Sequence, residues 1–466
     1  MKVVSEERRD VIIGVVVTDR DACLGRLLAS LRPVDSDPSV HVVVLDNGTQ
    51  PSKIPQLLEL ADKRARGRRR CVRNSSSRAP LHKTRVRLSR CIANLTRQWA
   101  IDEPIVWMVD DDLAFERFRL VDGQLDCQNI ASRRIEQIRD LATRDKCDLL
   151  VSGFTGDAPV RPNSVISCQL SDLTAELKRL AGAEPTELYQ VAHVDPTRYR
   201  GDYYYSHSQG SSAQWREPYP WLTRSGVGPT VAEQLAKMLD DARGIEFGRG
   251  VFRPLLEERD SNDVEIVDSM APNRGGNAVF FGVEPLLAHR YPAFPVGDGH
   301  SRRSDMIGAT MLAREQGYRV AEANLSLRHD RRDQSAISAH PREWKREFAG
   351  VMLARMVMHG IPPGLSPHQY LRRIAERRAE RIHNDAKHVT AEVQGALATL
   401  DQPAACWWRD SNCRPLAHAL RASLVRIRQT FEQAHRSHVF EALVAGDLLR
   451  GVLSAYTSLH ASRSVL

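Results

Sequence analysis

The chain has 466 residues, 42% of them hydrophobic and 27% charged, with a formal net charge of +8. This composition belongs to a folded globular protein and excludes a wholly disordered chain, while the length suggests two or three folded units. The basic balance admits an anionic ligand or partner, and bears on encounter rather than on fold.

The N-terminus is charged, and its first apolar run, VIIGVVV at 11–17, is too short for a membrane span. No other stretch reaches the ~18 apolar residues a span needs. Eight cysteines occur without CxxC pairs, so they read as free thiols in a reducing compartment, not as a disulfide framework or a zinc site. The reading is a cytoplasmic, soluble protein with no membrane span.

VIIGVVV has the continuous apolar pattern of a strand buried on both faces. Arg20 to Leu31 follows with helical spacing of Leu24, Leu27, Leu28 and Leu31, stopped by Pro33. VHVVVLD (40–46) and IVWMVD (105–110) are two further buried strands, a helix is expected from Arg133 to Thr143, and DLLVSGF (148–154) is another strand. Strands alternating with helices predict βαβ units and a mostly parallel sheet. Residues 185–262 differ in kind: rich in Tyr, Gly, Ser, Pro and Trp, they form a long insertion with one helix near 229–243. Met306 to Gln316 reads as a helix ended by Gly317, and 318–329 as strand-like. Beyond about 335 the pattern is that of long amphipathic helices.

The charge is uneven. Between Lys63 and Arg97 there are 13 Lys/Arg and no acid, which leaves the rest of the chain at −5. This segment either complements donor phosphates or meets an anionic acceptor or nucleic acid. It holds no aromatic residue, so base stacking is not indicated there.

The strongest chemical signal is Asp110-Asp111-Asp112, directly after the strand IVWMV. Ligands of open α/β sheets bind outside the carboxyl ends of strands. Three carboxylates there repel one another unless a cation occupies the site, and hard divalent metals share such carboxylates with phosphates. The plain alternative is a solvated acidic turn or a helix cap. A second cluster comprises Ser304-Asp305 at a helix start and His329 at the end of the following segment. Taken alone, Asp305 is as readily a cap and His329 an ordinary satisfied histidine.

In order, VVVTDRD (15–21), VVVLDNGT (42–49), RLSRCIAN (87–94), WMVDDDL (107–113), RGGNAVFF (274–281) and SDMIGATMLAREQGYRV with LRH (304–320, 327–329) resemble the GT-A glycosyltransferases, in particular the inverting family 2 type. The resemblance covers about residues 9–332. It implies a Rossmann-like, mostly parallel α/β sheet over 9–335, with 185–262 an acceptor-side insertion and 336–466 a helical C-terminal domain. It implies a sugar transferred from a nucleotide-sugar, UDP-sugar favoured, to an acceptor hydroxyl, with inversion. Asp110, Asp112 and His329 would hold Mn²⁺ or Mg²⁺. Thr18, Asp19, Asp46, Arg90 and Asp111 would contact the donor. Gly275, Gly276 and Asn277 would face the acceptor, and Asp305 would be the general base, with Asp298 its rival.

The family's acidic pair is here Ser304-Asp305, and its further acid falls at Ile307 or Gly308. Its aromatic-asparagine position after the first strand reads Thr18-Asp19. A nucleotidyltransferase is the second enzymatic reading, although it wants a lysine-bearing glycine loop that VVVTDRDACLGR lacks. A nucleic-acid-binding protein, or a transferase that modifies nucleic acid, is the reading from the basic segment. The insertion's aromatics (Tyr199, Tyr203, Tyr204, Tyr205, Trp215, Tyr219, Trp221) would stack on sugars or pack a subdomain. Trp407-Trp408 and the C-terminal helices would form a packing or homodimer surface.

Overall fold

The computed structural model describes residues 8–48, 53–73, 79–121, 124–144, 146–156, 163–184, 230–246, 264–272, 275–330, 341–436, 443–444 and 446–461. The first strand, β1 (Val11–Val17), is buried along its whole length. It feeds α1 (Asp21–Ser30), whose Leu24, Leu27 and Leu28 turn inward as the spacing predicts. The chain continues through β2 (Val40–Asp46), α2 (Ile54–Asp62), β3 (Arg69–Arg73), α3 (Leu81–Gln98) and β4 (Ile105–Asp110). Short strand β5 (Leu113–Ala114), the hairpin β6 (Glu116–Val121) and β7 (Gln124–Asn129), α4 (Ala131–Arg144) and β8 (Leu149–Gly156) complete the first half.

Helices α5 (Asn163–Ala181) and α6 (Val231–Glu246) come next, α6 covering the helix expected near 229–243. The insertion's aromatics from Tyr199 to Trp221 lie outside the described residues. Strand β9 (Ile266–Asp268), β10 (Asn277–Phe281), α7 (Val283–Ala288), the small hairpin β11 (Pro295–Val296) and β12 (Gly299–His300), α8 (Ser304–Glu315) and β13 (Val320–His329) then rejoin the sheet. The chain closes with α9 (Pro341–His359), α10 (Pro367–Leu400), α11 (Cys406–Arg409), α12 (Cys413–Arg436) and α13 (Gly446–Ala461).

The strand order is β3-β2-β1-β4-β10-β8-β13-β5, with β9 on the side of β13. Strands β1, β2, β3 and β4 are mutually parallel, as are β8 and β13, while β10 runs antiparallel between β4 and β8. This is the expected α/β class, a mixed sheet that is mostly parallel, with helices added at the C-terminus. Burial on both faces explains the unbroken apolar runs. Val11, Ile13, Val15 and Val17 pack toward α1 and α4, whereas Ile12 and Val16 pack toward α3, α7 and α8. Each such fully buried side chain contributes about 1.5–3 kcal/mol relative to exposure.

Register positions the site. Val17 lies opposite Asp46, and Val16 opposite Asp110, so β1, β2 and β4 end at one level. The antiparallel β10 starts where β4 ends, with Asn277 opposite Val109. Its leading glycines therefore meet the acids at the carboxyl edge.

Helices α5 and α6, from the middle of the chain, share one core with α10, α11 and α12. Helix α10 starts in a capping box between Ser366 and Gln369, with Pro367 in its first turn. Trp407 is fully buried in this core and donates its indole N–H to the Leu400 carbonyl at 3.1 Å, so it packs the interior of the chain. A further core joins Met306, Ile307 and Met311 of α8 to α9, α10 and α13. The C-terminal helices thus back the helix that carries Asp305. All eight cysteines are free. No described helix is long and apolar enough to cross a membrane.

Candidate active site

Asp110 is the last residue of β4, and Asp111 and Asp112 form the turn into β5. The Asp110 amide N–H donates to the Gly276 carbonyl at 3.0 Å, which ties the acidic strand end to the glycine pair before β10. Gly276 has φ +85°, a left-handed conformation that glycine adopts freely. A Cβ there would overlap Asp110 Oδ2 and lie 3.1 Å from its Cγ. A Cβ on Gly275 would overlap the Asp305 Cβ and lie 2.8 Å from its Oδ2. The two glycines are small because one approaches each carboxylate.

Asp305 lies in the first turn of α8, entered through Arg303 at φ 68°. Between Asp110 and Asp305 stands Arg85 of α3, its guanidinium almost wholly buried and paired with both carboxylates. Burial alone would lower the Arg85 pKa; Asp110 and Asp305 outweigh it and hold the group firmly protonated. The Arg85 guanidinium also lies over the Tyr291 ring, 5.8 Å from its centroid. These residues line a cavity of about 20 Å³, room for one water, together with Val16, Met108, His289 and Ala309. His289 is buried, its pKa pushed down by burial to about 4, and its Nδ1 has no hydrogen-bond partner. It is a neutral ring with an acceptor nitrogen in reserve.

Asp111 and Asp112 are both buried, and Arg20 at the start of α1 reaches them with Nη1, at 3.1 Å and 3.5 Å. Asp112 Oδ1 lies 3.3 Å from His329 Nε2, and its carbonyl accepts the Asp330 N–H at 2.8 Å. Strand β13 thus delivers His329 beside the acids. Burial and the neighbouring Asp112 push the Asp111 carboxyl up to about 7. Asp110 is raised too, through burial and despite Arg85.

Burial is the first cause of both shifts, and the neighbouring acids add to it. Asp110, Asp111, Asp112 and Asp305 face two guanidiniums, Arg20 and Arg85, in the contacts described. With all four carboxylates ionised, these two guanidiniums offset only part of the charge, and a divalent cation would offset more. Two carboxylates and an imidazole are a donor set that Mn²⁺ or Mg²⁺ accepts. Among the described residues no three His, Cys, Asp or Glu side chains gather closely enough as they stand to hold a metal. Asp112 and His329 already meet, while Asp110 is turned to Arg85. Donor chemistry and charge fit the ion.

The remaining expected residues divide. Asp46 is buried at the end of β2 and accepts the Gly48 N–H at 2.9 Å, and Thr18 Oγ1 accepts from Asn47 Nδ2 at 3.3 Å. Asp19 has φ 53°, and its carboxylate lies against Gly48. Thr18, Asp19 and Asp46 therefore form one cluster at the edge shared by β1 and β2.

Asn277 departs from its expected place beside the acceptor. It is wholly buried, its Oδ1 accepts from Trp107 Nε1 at 2.8 Å, and its Nδ2 donates to the Gly153 and Leu325 carbonyls. It braces β10 against its neighbours and has no amide left for a ligand. Arg90 is exposed on α3 and does not line the cavity; Arg85, five residues earlier and about 140° around the helix, does. Asp298 is exposed in the turn between β11 and β12, outside the cavity that Asp305 lines.

Arg85, Tyr291 and His289 were missed by the sequence reading. Arg85 sits in the second turn of α3 on the face of Leu88 and Ile92, and an arginine on a buried helical face was the available signal. Two other arginines of the basic segment are engaged within the fold. Arg69 is buried against Asp35 at 3.1 Å, and Arg68 lies over Trp99.

No protein-family model and no curated protein matches the sequence. Among solved structures, a mannosyltransferase from Pyrobaculum calidifontis in complex with GDP-Man and Mn²⁺ is 12% identical, with 92% of this chain and 88% of that chain covered and a TM-score of 0.37. TarS 1–349 of S. aureus is 12% identical over 92% and 91% of the two chains, with a TM-score of 0.34. Its complex with UDP gives 11% identity over 92% and 91% and a TM-score of 0.29.

Proposed function

We propose that the protein is a nucleotide-sugar-dependent glycosyltransferase that moves a sugar to an acceptor hydroxyl with inversion. The observation that carries this reading is the facing of Asp110 and Asp305 across one guanidinium, at the carboxyl edge of the sheet. One carboxylate adjoins the buried acids Asp111 and Asp112 at the end of β4. The other heads a separate helix and lines the same cavity. Acid clusters with a cation bind diphosphates; a single carboxylate at a distance suits a base.

A divalent ion, Mn²⁺ or Mg²⁺, held by Asp110, Asp112 and His329 would neutralise the diphosphate as it departs. Arg20 anchors Asp111 and Asp112 from the first strand–helix turn. Thr18, Asp19 and Asp46 flank it and receive the nucleoside. Asp305 takes the proton of the acceptor hydroxyl. The acceptor oxygen then bonds the anomeric carbon on the face opposite the breaking carbon–oxygen bond to phosphate, which inverts the centre. Arg85, bonded to both carboxylates, fixes the separation between the two halves of the site.

The test is release of nucleoside diphosphate from a panel of UDP-, GDP-, TDP- and CDP-sugars with Mn²⁺. Turnover of one nucleotide class, lost in Asp305→Asn with donor affinity retained, is expected. Full activity in that variant would remove Asp305 from the chemistry.

A further inference from the structure

One turn of α3 before Arg85 lies a second group of polar side chains that the transfer does not use. His82 and His300 stack at 4.8 Å between ring centroids, joining the start of α3 to hairpin β11–β12. Arg346 of α9 donates from Nε to the His300 carbonyl at 2.9 Å, bringing a third element to the same point. Lys83 is exposed beside His82. Burial comes first in lowering both imidazoles, His82 to about 4. The other influences are all positive: His300 and Lys83 on His82, Lys83 and Arg346 on His300. Asp298 stands two residues from His300 on the same hairpin. Helix α3 also starts here behind Pro80 without a side-chain cap, so its positive end adds to the field.

Four donors of positive or protonatable character, drawn from three elements, thus converge where their own repulsion opposes protonation. An anion relieves that repulsion: imidazole N–H groups, an ammonium and a guanidinium are the donors that phosphate oxygens take. The position is specific as well. His82 precedes Arg85 by three residues, about 4.5 Å of helical rise, and Arg85 is bonded to Asp305. A ligand whose hydroxyl meets Asp305 would carry its anionic group to the cluster.

We infer that His82, Lys83, His300 and Arg346 form a phosphate-binding subsite for the acceptor, so that the sugar is received by a hydroxyl compound bearing a phosphate group. The inference names the acceptor class of the site proposed above and rests on that reading. The same phosphate chemistry has a second source, the donor diphosphate, and the test separates the two.

The full chain is titrated calorimetrically with glucose 6-phosphate, glucose, inorganic phosphate, and UDP or GDP with Mn²⁺. The wild type is compared with a His82→Gln, His300→Gln double variant and with Lys83→Gln. Glucose 6-phosphate and phosphate are expected to bind while glucose does not. The double variant should lose at least about tenfold in that affinity, an anion-contact loss equivalent to roughly 1.4 kcal/mol. Nucleoside diphosphate with Mn²⁺ should bind both proteins equally and leave phosphate binding unaltered. Three results overturn the inference: equal binding of glucose and its phosphate, unchanged phosphate affinity in the double variant, or displacement of phosphate by the nucleotide, which assigns the cluster to the donor. Phosphate binding that depends on the cluster, in a protein that binds no nucleotide, would keep the anion site and remove the transferase reading. A double variant that fails to fold leaves the decision to Lys83→Gln, an exposed position, which should weaken phosphate binding at least threefold.

Discussion

The glycine pair before β10 allows the two carboxylates to be disturbed separately. In Gly276→Ala the new methyl overlaps Asp110 Oδ2, and the residue keeps φ near +85°. A left-handed alanine costs about 1–2 kcal/mol, and the carboxylate must retreat by about 1 Å from a normal contact distance. Because Asp110 is held by buried Arg85, it retreats at the expense of that pair. The expected result is a Tm lowered by a few degrees and Mn²⁺-dependent nucleoside diphosphate affinity reduced at least about tenfold. Transfer should fall by about 10², the cost of a 1 Å misplacement.

In Gly275→Ala the methyl meets the Asp305 Cβ, which the backbone of α8 holds. There the donor should bind within about threefold of wild type, while kcat drops by the same ~10². Calorimetry for binding and initial rates of nucleotide release distinguish the pair. Nucleotide binding untouched in Gly276→Ala but abolished in Gly275→Ala would refute the division of labour between the carboxylates.

Arg85→Met removes a buried guanidinium from between two half-buried carboxylates and should cost about 1.5–3 kcal/mol in chemical denaturation. Arg90→Ala, on the exposed side of the same helix, should change stability and kcat by less than twofold in activity and ~0.5 kcal/mol. Glu347 of α9 accepts from Arg303 Nε at 2.7 Å, beside the left-handed turn into Asp305. Glu347→Gln should destabilise by about 1.5–3 kcal/mol and slow transfer more than it weakens donor binding. An unchanged kcat would show that α9 does not position the base.

Stability should also fall in acid. Burial would raise the Asp37 carboxyl, but hydrogen bonds from Arg139 and Ser39 overcome it and hold it down to about 2. A folded pKa below the unfolded value of ~3.9 gives stability that is present above pH 4 and lost as pH falls toward 2. Asp37→Asn should flatten the fall in Tm between pH 5 and 3.

The sheet was legible because burial on two faces writes unbroken apolar runs, and 11–17, 40–46 and 105–110 return as β1, β2 and β4 with the same bounds. Acids at strand ends were legible for the same reason: β4 ends in charge where an apolar run stops. Long-range partners were not. Arg85 lies 220 residues from Asp305, and nothing local marks it apart from the twelve other basic residues around it. Asn277 reads as a ligand residue because a glycine-rich approach resembles a ligand loop; its amide pairs with Trp107 and with carbonyls on β8 and β13 that only the folded sheet supplies. Helix α5, which shares its core with α10, was not foreseen, since its apolar face is completed by residues some 200 positions later.

The central claim is a cation-dependent nucleotide site built on Asp110, Asp112 and His329. Calorimetric titration of UDP, GDP, TDP and CDP into wild type and Asp112→Ala, with Mn²⁺ and with chelator, tests it most directly. Binding of one nucleotide only when Mn²⁺ is present, and none in Asp112→Ala, is the predicted result. Equal binding with chelator, or no nucleotide binding at all by the folded wild type, would contradict it.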